Sequence, residues 1–236
     1  MQLSAPIYFL KRKAKQLSRA ENIPLHRAQN SVARDEGFQS WSHLAATHKG
    51  QSPAHKLYAS FATGDLIVLA ARPGHGKTLL GLELAIEAFH RGRTSLFFTL
   101  DFTERDVQAC FAALGLETEA PRAVEIDTSD AICADYIATE LRTRRAPHFV
   151  VVDYLQLLDQ SRSHPPLDRQ LDTLREVARE TGAIIAAMSQ IDRAFEGSGR
   201  QIPDWCDLRL PNPIDLEKID KGCFLHDGEM VLRMAG

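Results

Sequence analysis

The sequence has few of the features that mark secreted, membrane-spanning or disordered proteins. Its 236 residues include 4 cysteines, which form no Cys-x-x-Cys pair and have no histidine at zinc-finger spacing. No apolar run approaches the roughly 20 residues that a bilayer span requires, and the basic residues from Lys11 onward interrupt any signal-peptide hydrophobic region. Hydrophobic residues make up 44% of the chain and the net charge is −3, which excludes disorder along its whole length. We therefore expect a cytoplasmic protein with free thiols and no membrane partner.

Charge is distributed unevenly along the chain. Residues 1–50 carry 8 Lys/Arg and 3 Asp/Glu, a balance of +5, whereas the remaining residues have a balance of −8. Three short helical patterns within residues 1–48 predict a small basic module. Residues 49–56, with Gly50, Ser52 and Pro53, predict a linker, and residues 57–236 predict a second domain. The two parts therefore have different roles, and the basic part suits a polyanionic partner.

From residue 64 onward, apolar runs alternate with helical patterns. The runs are continuous rather than alternating, which is typical of strands covered on both faces in a parallel sheet. An Asp-Gly pair at 227–228 lies between two apolar runs and predicts a hairpin. The predicted fold class is α/β with a mainly parallel central sheet, a C-terminal β-hairpin and a small all-α N-terminal module. The predicted strands are 65–70, 94–100, 123–127, 149–153 and 183–188, and the predicted helices are 77–91, 104–114, 130–144 and 167–181.

The most specific pattern is Ala-Arg-Pro-Gly-His-Gly-Lys-Thr at residues 71–78, between a predicted strand and a predicted helix. It matches a nucleotide-binding phosphate loop with alanine at the first glycine position. Its two glycines let successive N–H groups point at phosphate oxygens, and the helix start adds a positive dipole. Lys77 would neutralise phosphate charge and the Thr78 hydroxyl would ligate Mg²⁺. The predicted cofactors are ATP and Mg²⁺, and the predicted binding residues are Arg72, Pro73, Gly74, His75, Gly76, Lys77, Thr78 and Leu79. We assign His75 no metal-binding role, because the backbone of such a loop does the binding.

Two further apolar runs end in polar side chains. Asp153 follows four buried-type residues and is predicted to hold Mg²⁺ together with Thr78. The alternative is a strand-end turn former, a common place for aspartate. Gln190 ends another run and would contact the γ-phosphate or orient the attacking water. Its alternative is a capped strand end, and the spacing does not separate the two.

Several motifs in order resemble the ATPase domain of DnaB-type replicative helicases, in the RecA superfamily. The motifs are Gly-Asp-Leu-Ile at 64–67, Ala-Ala-Arg-Pro at 70–73, Gly-Lys-Thr at 76–78, Leu-Phe-Phe-Thr-Leu-Asp at 96–101, Asp-Tyr-Leu-Gln-Leu at 153–157, Ser-Gln-Ile-Asp-Arg at 189–193 and Asp-Leu-Arg at 207–209. The resemblance covers about residues 64–209. It implies a RecA-like fold, Mg²⁺-dependent ATP hydrolysis, assembly into a ring or filament, and action on single-stranded DNA in replication. Lys77, Thr78, Asp153 and Gln190 match the family's functional positions.

Three departures from that family matter. The general-base glutamate of the family aligns with Asp101, whose carboxylate is one C–C bond, about 1.5 Å, closer to the backbone. Hydrolysis would then be slow, or Glu104 would replace Asp101 as the general base. If the lysine of the family's C-terminal Lys-x-Arg motif aligns with Arg233, the arginine finger aligns with Ala235. Three alternatives are then open: Arg233 acts as the finger, a protein partner supplies the finger, or activation in trans is absent. The family's helicase N-terminal domain does not resemble residues 1–48. These departures favour an alternative function, an ATP-gated oligomeric adaptor or regulator without unwinding activity.

Two segments are candidate contacts for DNA. The stretch from 192 to 207, with Arg193 and Arg200, corresponds to a loop that faces the central channel in RecA-like proteins, and two arginines on a flexible loop suit phosphate contact. The alternative is a solvated surface loop. In the N-terminal module, a helix-turn-helix-like arrangement would direct basic side chains to phosphate; its alternatives are a solvated face or a partner-docking surface. The basic residues concerned are Lys11, Arg12, Lys13 and Lys15.

Overall fold

A computed structural model describes residues 7–48, 53–117, 119–145, 147–159, 165–210 and 212–235. Its helices are α1 Ile7–Ala20, α2 Leu25–Asp35, α3 Trp41–His48, α4 Pro53–Tyr58, α5 Lys77–His90, α6 Glu104–Leu114, α7 Ala120–Ala123, α8 Ala134–Thr143 and α9 Leu167–Thr181. Its strands are β1 Leu66–Ala71, β2 Thr94–Thr99, β3 Val124–Asp127, β4 His148–Asp153, β5 Ile184–Gln190, β6 Lys221–His226 and β7 Glu229–Met234. Short 3₁₀ helices lie at Leu155–Asp159, Arg193–Gly197, Trp205–Asp207 and Leu216–Lys218. No helix in these ranges is long and apolar enough to cross a membrane.

The strands form a single seven-stranded sheet in the order β3-β2-β4-β5-β1-β6-β7. Every neighbouring pair is parallel except β6 and β7, which form the C-terminal hairpin. The prediction of a mainly parallel α/β sheet ending in a hairpin is therefore confirmed. The register aligns Thr99 with Asp153 and Ala71 with Gln190. Because parallel strands share a direction, their carboxyl ends meet at one edge of the sheet, where the site lies.

Both faces of the sheet are buried under helices, which explains the continuous apolar runs. On one face, Phe97 and Phe149 pack with α4, α5, α6 and α7. On the other face, Phe98 and Val150 pack with α8 and α9. A smaller cluster, with Phe195 and Phe224, fills the space beside β1 and β6 under the segment after β5. Successive residues of one strand thus enter different cores.

Two local predictions differ from the structure. Residues 53–56, assigned to the linker, belong to helix α4, whose Ala54 and Leu57 enter the core beside α5; residues 49–52 lie outside the described residues. Helix α8 begins at Ala134 rather than at residue 130, because the Asp127 and Ser129 side chains accept backbone N–H groups and form a turn. The helix periodicity of the sequence does not reveal that competing turn.

The N-terminal helices α1, α2 and α3 enclose a small core of their own that includes Leu10, Val32, Phe38 and Leu44. This module lies against the larger domain through α1 and α6, where the ammonium of Lys11 donates to the carbonyl oxygen of Leu114. Burial lowers the pKa of Lys11. It also raises the pKa of Glu83 on α5 to about 7, partly opposed by the charge of Lys11. The contact therefore brings two partly desolvated charged groups together.

Candidate nucleotide-binding site

The phosphate loop connects β1 to α5 and curls through two left-handed residues. Gly74 has φ +83° and Gly76 has φ +84°, conformations that residues with a Cβ rarely adopt. Helix α5 begins directly after Gly76 at Lys77, so its first N–H groups and its positive dipole end lie in the loop. A left-handed turn that runs into a helix N-terminus forms an anion-binding concavity. This loop can hold the phosphates of a nucleotide.

Lys77, Thr78 and Asp153 form one hydrogen-bonded group at the mouth of the loop. The Lys77 ammonium donates to Oδ1 of Asp153 at 2.9 Å, and the Thr78 hydroxyl donates to Oδ2 at 3.2 Å. The side chain of Asp153 is 1% exposed and that of Lys77 is 12% exposed. A carboxylate this buried needs paired charge and hydrogen bonds to remain ionised. The structure therefore brings together the three side chains that the motifs predicted.

The oxygen atoms of this group fit a hard divalent cation. Mg²⁺ prefers oxygen ligands, keeps several waters and takes one or two side chains from the protein. The Thr78 hydroxyl and the Asp153 carboxylate are 3.2 Å apart and supply such a pair. Lys77 holds the Asp153 carboxylate until a cation or a nucleotide phosphate competes for it. The residues present therefore fit Mg²⁺ and nucleotide phosphate.

Asp101 follows β2 and lies at the same edge of the sheet. Its backbone N–H donates to the Thr99 hydroxyl at 3.2 Å, which fixes the turn after the strand, and its side chain is exposed. Burial raises the pKa of the Tyr154 hydroxyl, and the negative charges of Asp101 and Asp153 add to the effect. The Lys77 ammonium lies 5.5 Å from the centre of the Tyr154 ring. The charge of Asp101 therefore acts on Tyr154 beside the site, although among the described residues its carboxylate forms no hydrogen bond or ion pair with Lys77 or Thr78. Glu104 starts α6 and is exposed.

Gln190 ends β5 beside the loop and is linked to a residue that sequence reasoning gave no role. The guanidinium of Arg209 lies 3.4 Å from Oε1 of Gln190, and the backbone N–H of Arg209 donates to the carbonyl of Gln190 at 2.8 Å. Gln156 donates to the Ser189 hydroxyl at 2.8 Å and also to the carbonyl of Arg209. Arg209 brings a positive charge to the sensor strand. The Asp-Leu-Arg motif at 207–209 was the sequence signal for Arg209, but the motif did not indicate that this residue contacts Gln190.

The side chain of Arg72, predicted to bind the nucleotide, instead turns away from the loop. Its Nε donates to Oε1 of Glu196 at 2.8 Å, and its Nη1 donates to the carbonyl of Ile191 at 3.0 Å. The ion pair connects the phosphate loop to the 3₁₀ segment that follows β5. Arg72 thus links the phosphate loop to the post-β5 segment through two of its five N–H donors, and its contact with the nucleotide stays a prediction. Pro73 lies in the loop and Leu79 in the first turn of α5, and their roles in nucleotide binding stay predictions.

The residues predicted to contact DNA differ in whether their side chains already form bonds within the protein. Arg193 is exposed, whereas Arg200 donates to the Asp207 carboxylate and lies 5.5 Å from the Phe195 ring centre. Arg200 is thus bonded within the protein, but its side chain is 44% exposed, and its contact with DNA stays a prediction. Lys11 bonds to α6, and its contact with DNA likewise stays a prediction.

The remaining basic residues of α1 stay as predictions. Lys13 lies 3.7 Å from the Asp35 carboxylate, and both side chains are 58% exposed. An ion pair this exposed is weak and leaves Lys13 free to exchange partners. Lys15 is exposed. The side chain of Arg12 lies outside the described residues.

Fold and site together define the class of protein. A parallel sheet with strand order 3-2-4-5-1, a phosphate loop after β1 and a carboxylate at the end of β4 characterise a RecA-like P-loop NTPase. The model of the DnaB-like helicase C-terminal domain family matches residues 112–231. Since that range is half of the chain, the chain belongs to this family, and the resemblance stated above is confirmed. The matched range starts within α6, so the phosphate loop is identified by its own motif and geometry.

Individual relatives are similar at lower coverage. The replicative DNA helicase DnaB of Synechocystis sp. is 25% identical over 206 residues, 73% of this chain and 22% of that protein. A probable plasmid replicative DNA helicase of Chlamydia muridarum is 28% identical over 185 residues, 65% of this chain and 41% of that protein. The chain thus spans less than half the length of these relatives. A solved DnaB-like replicative helicase, described with its interactions with primase, has a TM-score of 0.63 at 18% identity, over 97% of this chain and 71% of that chain. That likeness supports the fold.

Proposed function

We propose that the chain is a Mg²⁺-dependent ATPase of the DnaB-like helicase family that acts on DNA. The observation that carries the proposal is the bonding of Lys77 and Thr78 to the buried Asp153 carboxylate beside two left-handed glycines. These groups have the chemistry to bind a nucleotide triphosphate with its cation. Membership of the family supports hydrolysis and coupling to DNA. A cytoplasmic location is part of the same proposal.

Each residue of the site has a role in this proposal. The N–H groups around Gly74 and Gly76 bind the β- and γ-phosphates, and Lys77 neutralises their charge. Thr78 and Asp153 hold Mg²⁺, which draws charge from the phosphate oxygens when bound. Asp101 accepts the proton of the attacking water.

The polar groups at the end of β5 complete the set. Gln190 contacts the γ-phosphate side of the site. Arg209, held against Gln190, adds positive charge next to the sensor strand, where negative charge develops during phosphoryl transfer. The two residues therefore connect the state of the nucleotide to the chain that follows β5.

Assembly and DNA contact belong to the same proposal. RecA-like sites lie at subunit interfaces, so a homo-oligomeric ring or filament would complete each site with an arginine from a neighbour. Arg233 on β7 is the candidate finger within this chain, and a protein partner that supplies the arginine is the other candidate. The residues proposed to contact single-stranded DNA are the exposed Arg193, Arg200, Lys13 and Lys15, together with Lys11 and Arg12.

A second function, an ATP-gated adaptor or regulator that assembles without unwinding DNA, is favoured by two observations. Asp101 carries a short, exposed side chain, and Arg233 is occupied by Asp204, with Nε 3.2 Å from Oδ1. A short base slows hydrolysis, and the Arg233–Asp204 ion pair would have to open before the arginine could serve a neighbouring site. Such a protein would bind ATP and change its partners with little turnover.

Steady-state ATP hydrolysis with Mg²⁺, measured with and without single-stranded DNA at low and at higher salt, tests the proposal. We expect DNA to stimulate turnover and the stimulation to fade with salt, because phosphate contacts release counterions. Lys77→Ala should lower turnover by at least about 100-fold, since it removes a charge aimed at the transferred phosphate. Lys56→Ala, an exposed lysine on α4, is the matched control. Retained turnover in Lys77→Ala would reject the assigned site, and tight ATP binding with little turnover and no DNA effect would support the adaptor.

A further inference from the structure

Gln156 connects the end of the strand that carries Asp153 to the end of the sensor strand. It lies in the 3₁₀ helix Leu155–Asp159, which follows β4. Because β4 and β5 are parallel neighbours, the segments that follow their carboxyl ends lie side by side. The amide nitrogen of Gln156 donates to the hydroxyl of the buried Ser189 at 2.8 Å and also to the backbone carbonyl of Arg209. Both amide hydrogens are thus used between the two strand ends.

These bonds fix the direction in which the amide of Gln156 points. The carbonyl oxygen of Arg209 can only accept a hydrogen bond, so the NH₂ group of Gln156 must face it. The amide oxygen, Oε1, is buried and accepts no hydrogen bond from the described residues. Gln156 therefore acts as a donor alone, and its two acceptors set its position.

The backbone of Arg209 is held on both sides. The segment 207–209 returns antiparallel beside the end of β5. There the N–H of Arg209 donates to the carbonyl of Gln190 at 2.8 Å. Gln156 binds the carbonyl oxygen of the same residue. The guanidinium, which lies 3.4 Å from Oε1 of Gln190, therefore extends from a backbone that is fixed between two strand ends.

The guanidinium of Arg209 acts on the same space as the phosphate-binding lysine. Burial raises the pKa of the Tyr154 hydroxyl, and the positive charge of Arg209 opposes that rise. The Lys77 ammonium lies 5.5 Å from the centre of the same ring. Electrostatic stabilisation depends on charges that are aimed in advance at the place where negative charge develops. The group that fixes Arg209 therefore matters as well as the charge of Arg209.

We propose that Gln156 is a positioning residue for phosphoryl transfer, which holds Arg209 so that its guanidinium faces the γ-phosphate. This inference rests on the proposed function, because it needs a nucleotide at the phosphate loop. Gln156 itself touches neither the nucleotide nor the cation in this role. Since it follows Asp153 closely in the chain, it keeps Arg209 in register with the carboxylate proposed to hold Mg²⁺. A misplacement of about 1 Å can lower a rate about 100-fold.

Gln156→Met tests this role, because methionine has a similar length but no N–H donor and no charge. We expect kcat for ATP with Mg²⁺ to fall by at least about 10-fold and KM to change by less than about 2-fold, since the lost interaction acts in the transition state. Gln29→Met, at a half-buried position of α2, is the matched control. Unchanged kcat, or a rise in KM alone, would overturn the proposal.

A second variant covers the case in which methionine disturbs folding, as monitored by thermal unfolding. Gln156→Asn keeps the amide but draws it back by one C–C bond, about 1.5 Å. It should show the same fall in kcat, because the amide no longer reaches both acceptors. A folded Gln156→Asn protein with wild-type kcat would reject the positioning role.

A double-mutant cycle separates positioning from a merely structural role. Arg209→Ala should lower kcat by at least about 10-fold. Adding Gln156→Met to that variant should change kcat by less than about 2-fold, because the guanidinium that Gln156 positions is already gone. Losses that multiply would show that Gln156 acts by a route other than Arg209.

A binding measurement distinguishes failure of this inference from failure of the proposed function. ADP with Mg²⁺ is titrated by calorimetry with and without aluminium fluoride, which mimics the transferring phosphoryl group. Gln156→Met should leave the affinity for ADP unchanged and lower the affinity for ADP with aluminium fluoride by at least about 10-fold. A wild-type protein that binds no nucleotide would reject the proposed function and this inference together. A wild-type protein that binds ADP no more tightly with aluminium fluoride, or a variant that binds both as the wild type does, would reject the positioning role alone.

Discussion

Asp153 is the residue on which the proposed chemistry depends most. Its carboxylate is buried and accepts hydrogen bonds from two groups of the phosphate loop, Lys77 and Thr78. Removing one partner from a buried ion pair leaves an uncompensated charge, which costs about 3 kcal/mol or more. The group therefore orders the loop as well as preparing it for a nucleotide. The loss of Lys77 would affect both stability and binding.

At Asp101, lengthening the side chain is the informative change. Asp101→Glu moves the carboxylate about 1.5 Å further from the backbone, toward the reach that a general base needs. We expect steady-state ATP turnover to rise by at least about 10-fold. Glu104→Gln, a change to the neighbouring candidate base, should leave turnover unchanged. A fall in turnover in Asp101→Glu would mean that aspartate is already positioned for proton transfer.

Glu83 predicts a pH-dependent stability. Burial raises its folded pKa from 4.5 to about 7, so the folded state binds its proton more tightly than the unfolded state does. The contribution of the Glu83 carboxyl to the free energy of unfolding is fully present below about pH 4.5 and is lost as the pH rises through 7. The loss amounts to about 3 kcal/mol at 1.36 kcal/mol per unit.

Glu83→Gln removes that penalty, because the amide does not ionise. The variant should match the wild type in free energy of unfolding at pH 4.5 and exceed it by about 3 kcal/mol at pH 8, as measured by urea unfolding. Glu117→Gln changes an exposed carboxylate near Lys11 and is the control. Parallel curves for Glu83→Gln and wild type across this range would show that Glu83 titrates normally.

At the scale of elements, the segment after β5 connects the nucleotide site to the candidate DNA surface. Its 3₁₀ helix carries Arg193 and Glu196, and Glu196 is bonded to Arg72 of the phosphate loop. The strand before it ends in Gln190, which contacts Arg209. A DNA strand that moves this segment would therefore act on both ends of the nucleotide site.

The Arg72–Glu196 pair is the part of that connection that can be removed alone. Glu196→Gln should leave basal ATP turnover within about 2-fold, because Glu196 touches no catalytic group. Stimulation by single-stranded DNA should fall by at least about 5-fold, the low end of typical coupling between sites. Glu229→Gln, at an exposed position of β7, is the matched control. Unchanged stimulation in Glu196→Gln would show that DNA acts through another route.

At the scale of the whole molecule, the proposed ring or filament would have to complete each nucleotide site with an arginine from a neighbouring subunit. In the described part of the chain, Arg233 contacts Asp204 rather than the phosphate loop. A head-to-tail interface repeats one surface against a different one, so an arginine at the far edge of one subunit can reach the site of the next. Arg233 is thus a candidate for action between subunits.

Mixing two inactive variants tests that arrangement. Lys77→Ala lacks the phosphate-binding charge, and Arg233→Ala lacks the candidate finger. If the finger acts between subunits, an equal mixture should regain about a quarter of the active sites, since each site then needs one intact half from each variant. A mixture no more active than its components would show that Arg233 acts within its own subunit or has no catalytic role. Mixing Lys77→Ala with itself after the same treatment is the control.

The phosphate loop and the strand pattern were predictable because they depend on local rules. Glycine at 74 and 76, lysine at 77 and a strand–loop–helix context follow from backbone sterics and phosphate chemistry alone. Continuous apolar runs likewise identified a parallel sheet buried on both faces. The predicted start of α8 was wrong, because a side-chain turn outweighs helix periodicity there. The helix at 53–58 was not predicted, because it depends on packing against the core.

The sequence by itself determined the α/β class, the phosphate loop and the residues Lys77, Thr78 and Asp153, since each is encoded by a short contiguous pattern. The tertiary structure alone decided which distant groups share a space. Arg72 turns to Glu196, Lys11 docks on α6, and His75 meets the hairpin turn. The physical reason is that the sheet brings together strand ends that lie far apart in the chain, and burial then assigns each charged side chain the partner within its reach.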